Sequence, residues 1–541
     1  MTEWTIGQVL DAVASAVPDR VMTVCGQRRT TFAESVVRTR RLANFLADRG
    51  LGVHTRRAEL DRWECGQDRV AMLMHNDLYL EVMIGCLKAR TVPVNVNPHY
   101  TPHEIGDLLA YLRPSAVVYH RSRGPALAEA LPDRDGLLLL AVDDGTDTPE
   151  LPDAVSFDDA LRQGDPDRVI DTSPDDLAML CTGGTTGRPK GVLWRQADLY
   201  VSSMNGGDHE SIEVLHDFAR ATGQSWFALS PLSHAAGIFT ACAGLLAGQT
   251  IVAYDDRNRF DARLALQIAE RENVGLMTIV GDAYAAPLVD ELRRQPYDLS
   301  SLFGIGTGGA ATNPKYKRAL LELIPNVTLM EGYGSSETGG MGFGRSTQGA
   351  EVETFAPMPG GTAVSADRTR FLQPGTDEVG WAARTGRVPL GYLDDREATL
   401  RTFPEIDGQR LAVPGDRVTV DPDGTIRLLG RDSLVINTGG EKVFVEEVEE
   451  VLRACPGIAD ALVVGRPSPR WGTEVVALIC TTDGPVDPPT LRARCRERLA
   501  GYKVPKEFLT VSEIRRLGNG KPDYRWATQQ AVAEPAREIG A

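Results

Sequence analysis

The chain has 541 residues, 42% of them hydrophobic and 24% charged, a composition that fits a folded globular protein and excludes a disordered or fibrous one. That length exceeds what a single hydrophobic core serves, so several subdomains are expected. The 58 Lys and Arg against 74 Asp and Glu leave a net charge of −16, which argues against unspecific attachment to nucleic acid or anionic lipid and requires any anionic ligand to meet a locally arranged site.

The N-terminal stretch MTEWTIGQVLDAVASAVPDR is acidic and amphipathic and lacks the basic start and apolar core of a signal peptide, so no export is expected. The cysteines (25, 65, 86, 181, 242, 455, 480 and 495) are scattered without a C-x-x-C pair, which speaks against a zinc ribbon or a disulfide framework and for a reducing cytoplasm. From Val70 the chain alternates VAMLMHN, LYLEVMIGCLKA, VPVNV, a helical stretch from Pro102, and AVVYH, a rhythm that predicts βαβ units and a largely parallel, helix-covered sheet. His99 and His103 are four residues apart, but Pro102 and the position of Glu104 break the H-E-x-x-H pattern, so they read as surface or packing residues rather than as a peptidase zinc site. The most apolar segment, Ala235 to Tyr254, is interrupted by glycines, threonines and Gln249, and predicts a buried helix followed by a strand, not a membrane span.

The strand pattern returns in GLMTIVG, LFGIG and NVTLME, each ending in a Gly-rich or acidic turn, the places where doubly wound sheets collect ligands. After Gly430 the character changes to LVINT, a helix carrying Phe444, Val445, Val448, Val451 and Leu452, the strands ALVVG and TEVVALIC, a helix near 490 and a final short strand. The fold class is therefore α/β, with a large N-terminal body of helix-covered sheets over 1–430 and a small α+β C-terminal domain over 431–541, hinged at Arg431 and Asp432. The tail beyond about Ala531 is expected to fray.

The strongest local signal is LCTGGTTGRPKG, Leu180 to Gly191. Its glycines and threonine hydroxyls before a lysine offer N–H and O–H donors that can wrap a polyphosphate. It is not a Walker A loop, because two residues separate Gly187 from Lys190 and a glycine follows the lysine. Further along come PLSHAAG (231–237), TGGAA (307–311), EGYGSSETGG (331–340), PGDRV with Asp416, Arg431, the loop Thr438 to Lys442, and GNGKPDYRWA with Lys521.

In this order the motifs resemble the acyl-CoA synthetase, adenylation-domain and luciferase superfamily over nearly the whole chain. The resemblance implies a mobile C-terminal domain and ATP, Mg2+ and CoA as ligands. It implies that Thr182, Gly183, Gly184, Thr185, Thr186, Gly187 and Lys190 cover the β- and γ-phosphates of ATP, and that His234 lies beside the acyl pocket. Gly308, Gly309 and Ala310 resemble the adenine-side loop, Glu331, Gly332 and Tyr333 the adenine pocket, Thr338 the residue approaching the α-phosphate, and Glu337 the Mg2+ ligand. Asp416 resembles the acceptor of both ribose hydroxyls, and Arg431 the arginine on ribose or phosphate. Gly439, Gly440 and Lys442 belong to the segment that swings in for the thioester step, with Asn437 where a lysine is usual, and Lys521 stands at the position of the catalytic lysine.

The motifs GKPDYRWA, AELDRWECGQD, LWRQ and GDAYAAPLVDEL narrow the resemblance to actinomycete synthetases for bulky or steroid-side-chain acids. The implied reaction joins a small-molecule carboxylic acid to AMP and then to CoA. A diazotase, activating nitrite with ATP for an aromatic amine, shares the nucleotide motifs and stays open. A homodimer stays open too. An α/β-hydrolase is excluded because GSSET lacks the second glycine of the nucleophile elbow. The G-x-G-x-x-G from Gly304 to Gly309 is followed too soon by Pro314 to serve a dinucleotide oxidoreductase. A non-catalytic adenylate-binding scaffold would be expected to have lost Lys521, Glu337 or Lys190, and all three are present.

Overall fold

The computed structural model describes residues 2–183, 189–257, 259–309, 312, 314–349, 354–431, 435–482, 484, 486–515 and 523–533. The expected α/β organisation is found, with a large N-terminal body and a smaller C-terminal domain. Among the described residues the body holds an eight-stranded and a nine-stranded sheet, each mostly parallel at its centre, and a six-stranded antiparallel sheet.

In the eight-stranded sheet the strand Arg69–Leu73 lies parallel to both Val92–Val96 and Ala116–His120. Their side chains are buried on both faces, which is why these runs lack polar alternation. The crossover helix Tyr79–Lys88 is buried at every position, and even its charged Glu81 is inside, paired with Arg38 at 2.7 Å. The helix Pro102–Leu112 starts where the sequence places it. Thr101 Oγ1 accepts from the Glu104 N–H, the Glu104 carboxylate accepts from the Thr101 N–H, and Pro102 occupies the first turn, where its missing N–H costs nothing.

In the nine-stranded sheet Ser225–Ala228, Val274–Ile279, Gly304–Thr307 and Thr328–Ser335 run parallel in that spatial order. The apolar segment near 240 is the helix Ala235–Leu245 followed by the strand Thr250–Ala253, as expected. No helix among the described residues is long and apolar enough to cross a membrane.

The chain leaves the body along the strand Ile426–Arg431, whose last residue pairs with Asp416. Beyond it, the hairpin Val435–Thr438/Glu441–Phe444 leads into the helix Val445–Arg453, so Phe444 closes the strand and is not helical. The small domain is completed by the sheet of Ile458–Ser468, Gly472–Thr481 and Glu507–Thr510, covered by Pro488–Arg498 and Tyr524–Ala533. Its core of Val448, Leu452, Ala461, Val475, Leu491 and Cys495 is closed off from those of the body.

Candidate active site

A cavity of about 470 Å3 opens where the carboxyl ends of Val274–Ile279, Gly304–Thr307 and Thr328–Ser335 meet the N-terminus of the helix Ala235–Leu245 and the hairpin of the small domain. Thr182, His234, Gly308, Gly309, Gly332, Tyr333, Gly439, Gly440 and Lys442 all line it. Residues brought from more than 250 positions apart thus share one space.

The hairpin enters because of its turn. Gly439 and Gly440 have φ of +58° and +86°, the pair of left-handed residues that a two-residue turn between twisted strands requires. Gly440 rests against Val280 and Tyr284 of the body, and Gly439 against Trp471 of its own domain. The next residue, Glu441, places its carboxylate 3.1 Å from His234 Nε2. Burial alone would push the His234 pKa down, but the facing carboxylate outweighs it and the net shift is upward. Burial likewise raises the Glu441 carboxyl, and His234 brings it below its ordinary value. The pair joins the body to the small domain.

A second contact lies at the cavity's other side. Lys503 of the small domain donates to Glu104 of the body at 2.7 Å and to Glu447 of its own domain at 2.9 Å, with only 6% of its side chain exposed. Desolvation lowers the ammonium's pKa, yet Tyr100 and the two carboxylates raise it further, so the lysine stays charged. Arg498 meets His103 beside it at 2.6 Å.

On the nucleotide-motif side, Thr182 pairs with Lys190 across the antiparallel strands Leu177–Gly183 and Pro189–Arg195. Lys190 Nζ lies 5.0 Å from the centroid of the Tyr392 ring, and the Tyr392 hydroxyl donates to Glu337 Oε1 at 2.9 Å. The buried indole of Trp194 donates to the Ser336 carbonyl at 2.9 Å, tying the strand after the phosphate motif to the turn that carries Glu337. Lysine, tyrosine and a half-buried carboxylate thus form one group, and Glu337 offers the hard oxygen that Mg2+ prefers. The Tyr333 ring packs against Gly342, where a Cβ would come within 2.0 Å of it, and meets Phe355 edge-on with 5.0 Å between ring centroids. This accounts for glycine at 342 in the sequence GGMGFG. Burial first, then the nearby Asp416 carboxylate, raise the Tyr333 hydroxyl's pKa.

Two expectations are corrected. Glu331 does not face the cavity: its carboxylate accepts from Lys317 at 2.5 Å and from Ser346 at 2.8 Å, because a buried carboxylate needs partners and the alternation of the strand turns it inward. Thr338 is fully buried, and its hydroxyl accepts from the Ser335 N–H at 2.9 Å and donates to the Gly339 carbonyl at 3.0 Å. It braces the turn instead of facing a phosphate. Gly184, Thr185, Thr186, Gly187, Ala310 and Lys521 lie outside the described residues, as does the Arg431 side chain. The motifs pointed to the loop around Glu441 but not to that residue itself, and no sequence signal marked Tyr392 or Lys503, whose partners are distant in the chain.

Comparison with known proteins places matches along this architecture. The family model described as "AMP-binding enzyme" matches residues 10–366, and "AMP-binding enzyme C-terminal domain" matches 447–521. The chain is 42% identical to the medium-chain acyl-CoA ligase Mig of Mycobacterium avium over 98% of its own length and 99% of that protein's. It is 36% identical to a medium/long-chain-fatty-acid–CoA/3-oxocholest-4-en-26-oate–CoA ligase of Mycobacterium tuberculosis, over 99% and 98% of the two chains. Among solved structures it is similar in fold to the amide bond synthetase McbA of Marinactinospora thermotolerans, with a TM-score of 0.78 at 24% identity over 97% and 99% of the two chains.

Proposed function

The chain belongs to the AMP-binding enzyme family, and from that premise we propose that it is an AMP-forming acyl-CoA synthetase acting on a medium- to long-chain or steroid-side-chain carboxylic acid. The relatives named above support that substrate range. The observation that carries the two-step reading is the small domain's Gly439–Gly440 hairpin seated in the body's cavity. A site completed by a hinged domain presents different side chains to the same reacting atoms in turn, which suits two consecutive reactions.

In the first step an oxygen of the acid attacks the α-phosphorus of ATP, pyrophosphate leaves, and acyl-AMP forms. Thr182, Gly183, Gly184, Thr185, Thr186, Gly187 and Lys190 are assigned to the β- and γ-phosphates. Gly308, Gly309, Ala310, Gly332 and Tyr333 are assigned to the adenine side, and Asp416 and Arg431 to the ribose. Glu337, oriented by Tyr392, fits Mg2+, which when bound would neutralise charge on the transferring phosphates. Lys521 is assigned the developing negative charge of this step. In the second step the deprotonated sulfur of CoA attacks the acyl carbon and AMP leaves with the bonding electron pair. Gly439, Gly440 and Lys442 are assigned to this arrangement, with His234 held by Glu441 beside the small residues Ala235 and Ala236. We place the hinge at Arg431 and Asp432, between a body of 1–430 and a small domain of 431–541, where the strand Ile426–Arg431 ends.

The test is product analysis. The purified chain, ATP, Mg2+ and CoA are incubated with fatty and steroid-derived acids, and AMP, pyrophosphate and acyl-CoA are measured. Stoichiometric AMP and acyl-CoA are expected. A diazo product from nitrite and an aminobenzoate, with no acyl-CoA from any acid, would replace this reading by the diazotase one.

A further inference from the structure

Three segments outside the proposed chemistry converge beside the cavity. His75 follows the strand Arg69–Leu73, His99 follows Val92–Val96, and Asp256 follows Thr250–Ala253. All three sit just past the carboxyl ends of parallel strands, two from the eight-stranded sheet and one from the nine-stranded sheet. One donor atom from each lies within 4.8 Å of the others, and His75 Nδ1 is 3.5 Å from Asp256 Oδ1.

His75 is 6% exposed, and its Nδ1 is buried without a hydrogen-bond partner. A buried ring nitrogen left unpaired is an unfavourable arrangement that a ligand would relieve. The surrounding backbone is already committed. The His75 N–H donates to His120 Nδ1 at 3.0 Å, and the Asn76 N–H donates to Asp256 Oδ1 at 2.8 Å, orienting the carboxylate. Asn76 also donates to the Tyr254 carbonyl and accepts from the Leu232 N–H, so one asparagine fixes the His75 and Asp256 segments relative to each other.

From this geometry we infer that His75, His99 and Asp256 bind one divalent transition cation, zinc by preference, which clamps the two large sheets together beside Asn97 and Tyr100 of the cavity wall. Two imidazoles and one carboxylate are a donor set for zinc or a neighbouring first-row ion, whereas magnesium and calcium select all-oxygen sites. Donors bound tetrahedrally at zinc are about 3.3 Å apart, given metal–ligand distances near 2.0 Å. The His75–Asp256 separation is close to that already. The exposed His99 ring stands edge-on to His75 with 5.7 Å between ring centroids and supplies the third donor, leaving a fourth position for water. The site is separate from Glu337, to which the proposed function assigns Mg2+.

The experiment uses the full chain made without a polyhistidine tag, stripped with a chelator and titrated with Co2+. One equivalent is expected to give the visible ligand-field absorption of a four-coordinate nitrogen and oxygen site. Zn2+ should displace it, saturating Mg2+ should not, and Zn2+ should raise the melting temperature because it binds the folded chain. His99→Ala and Asp256→Asn should each weaken Co2+ binding by at least about tenfold to a hundredfold, the loss seen even when only a supporting partner of a ligand is removed. His54→Ala, which breaks another histidine–carboxylate contact at 2.5 Å, should leave binding unchanged. Absence of the ligand-field spectrum, equal binding in the His99 and Asp256 variants, or a thiolate-to-cobalt charge-transfer band would overturn the assignment. These readouts do not depend on turnover, so they stand or fall apart from the acyl-CoA synthetase reading.

Discussion

Glu104→Gln isolates one of the contacts that hold the small domain on the body. Glu104 uses Oε2 for the Thr101 N–H and hydroxyl of its helix cap and Oε1 for Lys503. Glutamine keeps a carbonyl oxygen and serves a capping box as glutamate does, so the helix Pro102–Leu112 should survive. Its single oxygen stays on the cap, so the amide NH2 faces the Lys503 ammonium, donor against donor, and the Lys503 hydrogen bond is lost. A hydrogen bond to a charged group is worth about 1.5–3 kcal/mol and both groups here are largely buried, so docking should lose about 1.5–3 kcal/mol. That corresponds to a shift of roughly 10-fold to 100-fold in the population of the docked arrangement. Lys503 keeps Glu447, so no charge is stranded. The assay separates the half-reactions: single-turnover thioester formation from synthetic acyl-AMP and CoA, and pyrophosphate exchange for adenylation. Thioester formation should slow by that factor while adenylation is unchanged or faster, at an unaltered melting temperature. Equal loss in both half-reactions, or none in either, would refute the view that this contact governs domain docking.

Lys521→Ala should slow adenylation by about 100-fold to 1000-fold, roughly the 3 kcal/mol that a preorganised cation contributes, while leaving thioester formation from acyl-AMP close to normal; the same two assays check it. Glu337→Ala should abolish Mg2+-dependent pyrophosphate release with little change in the fold, measured by circular dichroism, because the half-buried carboxylate accepts one hydrogen bond, from the Tyr392 hydroxyl. Docking should also respond to pH through His234 and Glu441. The His234 pKa is raised by Glu441, so its contribution is complete below the ordinary 6.5 and lost as pH rises through the raised value. The Glu441 pKa is depressed, so its contribution is present above the ordinary 4.5 and lost as pH falls through the lowered value. Single-turnover thioester formation should therefore fall on the alkaline side of the His234 transition, and His234→Asn should remove that dependence.

What the sequence determined by itself is what short-range physics decides. The apolar runs with no polar alternation became parallel strands buried on both faces, and the helical stretch read from Pro102 begins there, capped by Thr101 and Glu104. The ordered motifs likewise pointed to residues that line the cavity, among them Thr182, His234, Gly308, Gly332 and Gly440. Only the tertiary structure decided where long side chains found partners. Glu331 turned from the cavity because Lys317 and Ser346 were available to neutralise and bond a buried carboxylate, and Thr338 spent its hydroxyl on its own turn. Lys503 met Glu104 across 399 residues, Glu441 met His234 across the domain boundary, and His75 and His99 met Asp256 from different sheets. Such contacts leave no spacing in the chain, because charge and hydrogen bonding act through space and the fold alone sets which groups come within reach.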